Sequence, residues 1–311
     1  MTQRTILLLL AVLLLTGYSE SALSQPRIFE EGIISTGDYE THPAFSPSGD
    51  TLYFLKGLPD ANFFSICVSY KKNGKWSAPQ IASFSGKYLD ADPFVTRDGQ
   101  TLYFVSNRPV NEGEPVKPDW DIWKTTLTPN GWGTPVHLDS TINSSNSEYF
   151  PTLADNGNLY FGSGRKGGKG RGDLYVSRWV NGKYAPPENL GDSINTVDNE
   201  YEPYIAPDES YLIFMATYPN GLYNADFYIS HRVDGKWSKA RKLPEPINSS
   251  ATEWGGKVTR DGKYFFFGSS RNKITDALPQ REDIKQFERR SRSAGNGLGD
   301  IYFVEVRAME P

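Results

Sequence analysis

The sequence predicts an all-β protein, a five-bladed β-propeller of four-stranded blades, and three observations carry that expectation. One pattern recurs five times, an acidic residue three positions before an anchor: Glu40-Thr-His-Pro43, Asp90-Ala-Asp-Pro93, Glu148-Tyr-Phe-Pro151, Glu200-Tyr-Glu-Pro203 and Glu253-Trp-Gly-Gly256. The anchors lie 50, 58, 52 and 53 residues apart, a period that marks stacked or radially arranged supersecondary units. Each copy divides into short strands separated by turn signals. The last copy is one strand short, while the chain carries a strand to spare before the first anchor.

Strand one of each unit follows the anchor, as in Pro43-Ala-Phe-Ser. The turn after it is Pro47-Ser-Gly49, Arg97-Asp-Gly99, Asp155-Asn-Gly157, Pro207-Asp-Glu209 or Arg260-Asp-Gly262, where Asp/Asn-Gly pairs supply the positive φ of a tight hairpin. Strand two is Thr51-Leu-Tyr-Phe54, Thr101-Leu-Tyr-Phe-Val105, Leu159-Tyr-Phe161, Tyr211-Leu-Ile-Phe214 or Tyr264-Phe-Phe-Phe267, the aromatic and branched runs of strands buried on both faces. Strand three is Ser65-Ile-Cys67, Asp121-Ile-Trp123, Asp173-Leu-Tyr175, Asp226-Phe-Tyr228 or Asp300-Ile-Tyr302. A second hairpin at Asn73-Gly, Asn130-Gly, Asn181-Gly and Asp234-Gly leads to strand four in the first four units. The fifth unit has none. Arg27-Ile-Phe-Glu-Glu-Gly-Ile-Ile34 is expected to complete its sheet and close the ring, which removes exposed strand edges.

Residues 1–24 are expected to be a signal peptide: a positive start, an apolar run from Ile6 to Leu15 too short to span a bilayer, and Ala22 and Ser24 placed for cleavage. Leu15-Thr-Gly-Tyr18 resembles a lipoprotein box, but tyrosine cannot carry the thioether anchor. A periplasmic or secreted protein without stable membrane insertion follows, with residues 25–311 as one domain and a monomer expected. The formal net charge of -4 argues against nucleic acid as a partner. Cys67 is the only cysteine, so an intrachain disulfide is excluded and a buried structural thiol is expected.

Residues 35–307 resemble the PD40 (WD40-like, TolB-type) β-propeller repeat family of exported bacterial proteins. The residues that carry the resemblance are Pro207-Asp208 and the Asp-Gly turns, Leu-Tyr-Phe in strand two, Ser106-Asn-Arg108 with Asp121-Ile-Trp, and Ser163-Gly-Arg165 with Asp173-Leu-Tyr. The resemblance implies the fold. For activity it implies a range of roles, from binding platform to enzyme scaffold, and the additional α/β domain of TolB is missing here.

In such a blade the loop entering strand one opens on the same face as the loop between strands two and three. Glu40, Asp90, Glu148, Glu200 and Glu253 are therefore expected to ring the channel there. On an extended strand, residues two apart share a side, which places His42, Asp92 and Glu202 beside them, with Phe150 and Gly255 in the other copies. One reading is an acidic funnel for a cation, a cationic ligand or a sugar. Glu40, His42, Asp90, Asp92, Glu200 and Glu202 suit a divalent ion such as Ca²⁺, with Asp92, Glu202 and His42 as the asymmetric core of the set. Converging carboxylates also suit glycoside chemistry. The other reading is structural: an acid present in all five blades caps backbone N–H groups or pairs with Arg108, Arg165 and Arg271, although those arginines could equally bridge to Asp121, Asp173 and Asp300. The structural reading is preferred for the five-fold acids, and function is assigned to the neighbours that break the symmetry.

Two loops on this face are long, Pro109 to Asp119 and Asn272 to Gly299. The second holds Arg281, Arg289, Arg290 and Arg292, which a lid would bring to the acidic rim. Gly164 to Gly172 has a phosphate-loop composition without the order or the following helix, and reads as a flexible basic loop. Asn143-Ser-Ser and Asn248-Ser-Ser match glycosylation sequons, but they recur at equivalent turns and are assigned to turn chemistry. No GxSxG, HExxH or Cys/His pair is present. The expectation for function is an exported, non-catalytic propeller binding an envelope protein, peptide or glycan through its loop-rich face. The alternative is a carbohydrate-active hydrolase or lyase using axial carboxylates, with or without a divalent cation.

Overall fold

The computed structural model describes residues 25–58, 63–217, 225–273 and 277–309. The expected signal peptide lies outside the described residues. Five antiparallel sheets follow one another along the chain. Blade one comprises Tyr39–Phe45, Thr51–Gly57, Phe64–Lys72 and Gln80–Ile81; blade two comprises Asp90–Val95, Thr101–Ser106, Asp121–Thr128 and Val136–His137. Blade three comprises Glu148–Leu153, Leu159–Ser163, Asp173–Ser177 and Glu188–Asn189; blade four comprises Glu200–Ile205, Tyr211–Ala216, Asp226–Val233 and Arg241–Lys242. Blade five comprises Glu253–Val258, Tyr264–Ser269 and Asp300–Glu305, and its outer strand is Arg27–Ile28 from the start of the chain. The protein is a five-bladed β-propeller closed by its N-terminal strand.

The closing strand is shorter than the sequence suggests. Arg27 pairs with Phe303 and Ile28 with Tyr302, after which only Phe29 N–H continues the ladder, to Ile301 O at 2.8 Å. The seam is held instead by side chains. Phe29 meets Phe45, Trp76, Phe266 and Phe303 edge-on at 5.1–5.9 Å, joining blade five to blade one in one apolar cluster. Such aromatic pairs each add ~0.5–1.5 kcal/mol beyond burial. The outer strands of blades one to four are also short, and in blades one to three Pro79, Pro135 and Pro186-Pro187 lack the N–H that a ladder needs.

Strand-two residues Leu52, Phe54, Leu102, Phe104, Phe161, Phe214, Phe265 and Phe267 have no exposure, and neighbouring sheets pack their faces together through them. Cys67 lies in this packing, and burial pushes its thiol up to about 11, as a structural cysteine requires. Glu209, where the other units have glycine, keeps the turn's left-handed backbone (φ 60) because its carboxylate bolts two blades together. It accepts from Asn158 (2.8 Å) and Tyr160 (2.7 Å) of blade three and from Arg232 (2.8 Å) of its own blade. The sequon asparagines are buried. Asn143, Asn195 and Asn248 each accept from the backbone N–H of a strand-three residue (Ile122, Leu174 and Phe227) at 2.8 Å and donate back to its carbonyl.

The five repeated acids do not open into the channel; each is fully buried at the start of its inner strand. In four blades the carboxylate reaches back four residues to the turn before it: Glu40 to Thr36, Glu148 to Ser144, Glu200 to Thr196 and Glu253 to Ser249, taking both N–H and hydroxyl. Asp90, one methylene shorter, takes the Ser85 hydroxyl at 2.8 Å. The arginine assignment is also settled. Arg108 pairs with Asp90 (2.6 Å), Arg165 with Glu148 (3.3 Å) and Arg271 with Glu253 (3.2 Å), rather than with Asp121, Asp173 and Asp300. Each guanidinium also donates to a backbone carbonyl and lies over aromatic rings of its blade, Arg108 at 4.8 Å from the Phe104 centroid. Lys56 plays this part for Glu40. The expected funnel set of Glu40, Asp90, Glu148, Glu200, Glu253, Arg108, Arg165 and Arg271 is thus corrected to a set of internal ties.

The blade-five insertion forms a helix, Ile284–Ser291, capped by Asp283 and Gln286. It buries none of its residues, and Arg290 pairs with Glu282 inside the insertion at 2.8 Å. It does not bring its arginines to an acidic rim.

Removing one partner of a buried pair leaves the other charge unanswered. Asp90→Ala, which strands the Arg108 guanidinium, should cost ~3–5 kcal/mol in denaturant unfolding. Glu188→Ala, which breaks an exposed pair with Arg178, should cost under ~1 kcal/mol in the same measurement.

Candidate functional site at the propeller axis

The residue between each buried acid and its anchor sets the geometry of the axis. His42, Asp92, Phe150, Glu202 and Gly255 all have left-handed backbone, with φ of 53, 54, 54, 54 and 60, and the strand-one to strand-two register slips at that point in every blade. This bulge corrects the expectation that residues two apart share a side. The acid turns back to the preceding loop, whereas the left-handed residue presents its side chain to the matching residues of other blades. The conformation costs a non-glycine residue ~1–2 kcal/mol, so it persists only where the surroundings enforce it. Only the fifth blade uses glycine, and there a Cβ would lie 2.7 Å from His42 Cα.

Three of the five residues meet at one atom. His42 Nε2 lies 3.4 Å from Glu202 Oε1 and 3.6 Å from Asp92 Oδ1, while its Nδ1 is 2.8 Å from Thr41 Oγ1. Phe150 stacks parallel to the imidazole at 5.7 Å. Asp92 Oδ2 accepts from Phe150 N–H at 3.2 Å, and Glu202 Oε2 accepts from Gly255 N–H. His42, Asp92 and Glu202 are 7%, 5% and 5% exposed, so their charges are answered inside the protein or not at all.

Lys257 completes the cluster. Its ammonium donates to Pro93 O at 2.9 Å and lies in the field of Asp92 and Glu202. Burial pulls it down to about 8 despite those carboxylates. Burial lifts Asp92 to about 6, with Glu202 adding to the rise and His42 and Lys257 opposing it. Burial alone would lower His42, but the pairing with Glu202 and the charge of Asp92 outweigh it and its pKa is raised. Protonated, the ring bonds Thr41 through Nδ1, while Nε2, which makes no hydrogen bond, faces the two carboxylates as a charge neighbour.

The structure therefore brings together His42, Asp92 and Glu202 and leaves the five-fold acids and the arginines outside. Among the described residues no group of three or more His, Cys, Asp and Glu is placed to hold a metal ion. The expected set of Asp92, Glu202 and His42 does meet, with Lys257 as a further basic group in the field of the two carboxylates. Lys257 is the residue that the repeat reading passed over. It follows the fifth anchor directly, where the other units have Ala44, Phe94, Thr152 and Tyr204, so its broken symmetry was visible. His137 lies on the outer strand of blade two, at 2.7 Å from Asp121. His231 lies within strand three of blade four, on the exposed side.

The axis also holds a cavity of about 650 Å3, and it opens at the other mouth, among the hairpins between strands one and two. Ala44, Phe94, Leu153, Tyr204 and Val258 contribute one wall from each blade, and Lys257 lies on its lining. The long loops expected to frame a site are at the opposite end.

No protein-family model matches this chain, and no curated protein matches it in sequence. Solved structures do share its fold. An α-L-arabinofuranosidase from Lactobacillus brevis aligns over 88% of this chain and 92% of its own, with 12% identity and a TM-score of 0.55. A GH43 endo-arabinanase from Bacillus licheniformis aligns over 86% and 94%, with 12% identity and a TM-score of 0.49. At such identity the likeness defines a fold and assigns no residue a role.

Stability should report the cluster. His42 has a raised folded pKa, so its contribution is full below 6.5, its ordinary value, and is lost as pH rises through the higher one. His42→Gln should flatten the decline in unfolding free energy above pH 6.5. Asp92 adds its own decline between 3.8 and about 6, since the fold holds its proton more tightly. Gly255→Ala, strained by φ and pressed against His42, should destabilise by more than ~1 kcal/mol in thermal unfolding.

Proposed function

We propose that the protein is a carbohydrate-active hydrolase that works at the propeller axis, with Asp92 as general acid and Glu202 as its partner carboxylate. The observation that carries this reading is the convergence of two buried carboxylates from different blades on one imidazole. Their facing oxygens both lie within 3.6 Å of His42 Nε2, so they are no more than about 7 Å apart, below the ~9.5 Å upper limit for carboxylate pairs that hydrolyse glycosides. Burial gives Asp92 the raised pKa that a proton donor needs near neutral pH. His42 and Gly255 N–H hold Glu202 in place. The half-buried aromatic residues Tyr39, Tyr149, Tyr201 and Trp254 enter the same inner strands and offer flat apolar surface for sugar rings. The arabinofuranosidase fold likeness makes aryl arabinofuranosides the first substrates to try. Export to the periplasm or outside the cell, and membership of the PD40 repeat family, belong to the same proposal and rest on the sequence.

A second reading is favoured by the same imidazole. His42 fills the space between the carboxylates, and their charges are already matched by it and by Lys257. A closed cluster of this kind would serve as a plug that sets the axis, and the protein would bind a glycan, peptide or envelope protein without turning it over.

Turnover of aryl glycosides and plant polysaccharides by the purified mature chain separates the two. For the hydrolase, Asp92→Asn and Glu202→Gln should each lower kcat/KM by ~10²-fold or more with folding retained. Wild-type kcat/KM should fall as pH rises through about 6, where Asp92 loses its proton. A wild type that retains glycans on an affinity gel without hydrolysing any of them would establish the binding reading instead.

A further inference from the structure

Lys257 is an amine that the blade itself does not need. The position after each anchor is a wall of the axis: Ala44, Phe94 and Tyr204 occupy it in three other blades and line the cavity at the hairpin end, and blade five alone puts a lysine there. Taking an ammonium out of water is costly, and uncharged side chains build the other blades without that cost. The Lys257 ammonium donates to Pro93 O at 2.9 Å and lies in the field of Asp92 and Glu202, but among the described residues no carboxylate pairs with it directly. The side chain is partly exposed, and the space it faces is the cavity of about 650 Å3.

That cavity has the size of a small-molecule site, which spans ~300–1,000 Å3. Its lining mixes apolar side chains such as Phe94, Leu153 and Val258 with charged turn residues of both signs at the mouth, so charge does not choose its ligand. Reactivity does. Among the described residues that line it, Lys257 is the only amine, and there is no thiol or imidazole beside it. Burial pulls its pKa down from 10.5 to about 8, against the pull of Asp92 and Glu202. More of it is therefore free base at neutral pH than of an exposed lysine, and the free base is the nucleophile. Condensation with a carbonyl group is the chemistry that such a desolvated lysine performs.

We propose that Lys257 is a covalent site for a small aldehyde, its apolar body held in the chamber inside the ring of hairpins and its carbonyl carbon joined to Nζ as an imine. The nitrogen lone pair adds to the carbonyl carbon, the carbon–oxygen bond breaks, and the oxygen leaves as water with the two protons of the neutral amine. No group is oxidised or reduced. The site does not depend on hydrolysis by Asp92 and Glu202, and either can stand without the other.

The probe is 2-naphthaldehyde, incubated with the folded mature chain. Added cyanoborohydride reduces the imine to a stable secondary amine, and peptide mass mapping places the adduct. At pH 7 Lys257 should be labelled ~10-fold or more faster than the exposed Lys75 and Lys236, and the preference should narrow as pH approaches 10.5, where those amines lose their protons too. Lys257→Arg keeps the positive charge but offers no condensing amine, so it should lose the selective adduct while retaining a cooperative melt. Leu153→Trp, which puts an indole into the chamber, should slow labelling of Lys257 and leave Lys75 and Lys236 unchanged. The wild-type map decides the matter even if neither variant folds. Labelling of Lys257 no faster than of Lys75 and Lys236 would overturn the proposal and leave the lysine as a charge balance for the two carboxylates. Wild-type labelling of Lys257 in folded Leu153→Trp would also overturn it, since the aldehyde would not then be held in the chamber.

Discussion

The fold depends on a buried carboxylate at the start of every inner strand and on the left-handed residue two positions later. The carboxylate ties the strand to the turn that precedes it, so each blade is locked to the connection arriving from the last one. Because that acid is fully buried, it needs partners, and the chain supplies them locally: in four blades a hydroxyl and an N–H four residues back, in blade two the Ser85 hydroxyl, and in three blades an arginine laid over aromatic rings. The bulge that follows then releases the next side chain from the sheet and directs it to the axis. The five-fold acid is architecture, and the five-fold bulge turns one position per blade into a ring where identity is free to vary.

That ring explains why chemistry is concentrated in so few residues. Its members are His42, Asp92, Phe150, Glu202 and Gly255, and the differences among them are mutually dependent. Gly255 leaves room for His42, Phe150 stacks on the imidazole, and Asp92 and Glu202 face its Nε2. Low exposure means that the neighbouring charges weigh heavily on the protonation of Asp92, the imidazole and Lys257. An acid with a raised pKa beside an ammonium with a lowered one is the sort of environment in which protons are moved, and it lies at the centre of the ring.

The axis also divides into two chemical halves. The carboxylate cluster occupies the end where the inner strands begin, and the apolar chamber occupies the end where they turn into hairpins, with Lys257 between them. The insertion that looked most promising as a lid is a capped helix whose residues are all left unburied, and Arg290 satisfies Glu282 next to it in sequence.

The repeat, the blade count, the hairpins and the ring closure were legible in the sequence, because each rests on local chemistry: Asp-Gly turns, aromatic strands and a spare strand at the start of the chain. The preference for a structural role for Glu40, Asp90, Glu148, Glu200 and Glu253 was legible too, since a residue needed by every blade is a residue of the blade. So was the asymmetry of His42, Asp92 and Glu202. What the sequence could not decide was direction. A single left-handed residue reverses the side of a strand on which side chains emerge, and nothing in the letters at positions 42, 92, 150 and 202 announces it; only Gly255 carries a hint. The meeting of Asp92, Glu202 and Lys257 around one imidazole joins residues up to 215 positions apart in sequence, so only closure of the ring brings them together.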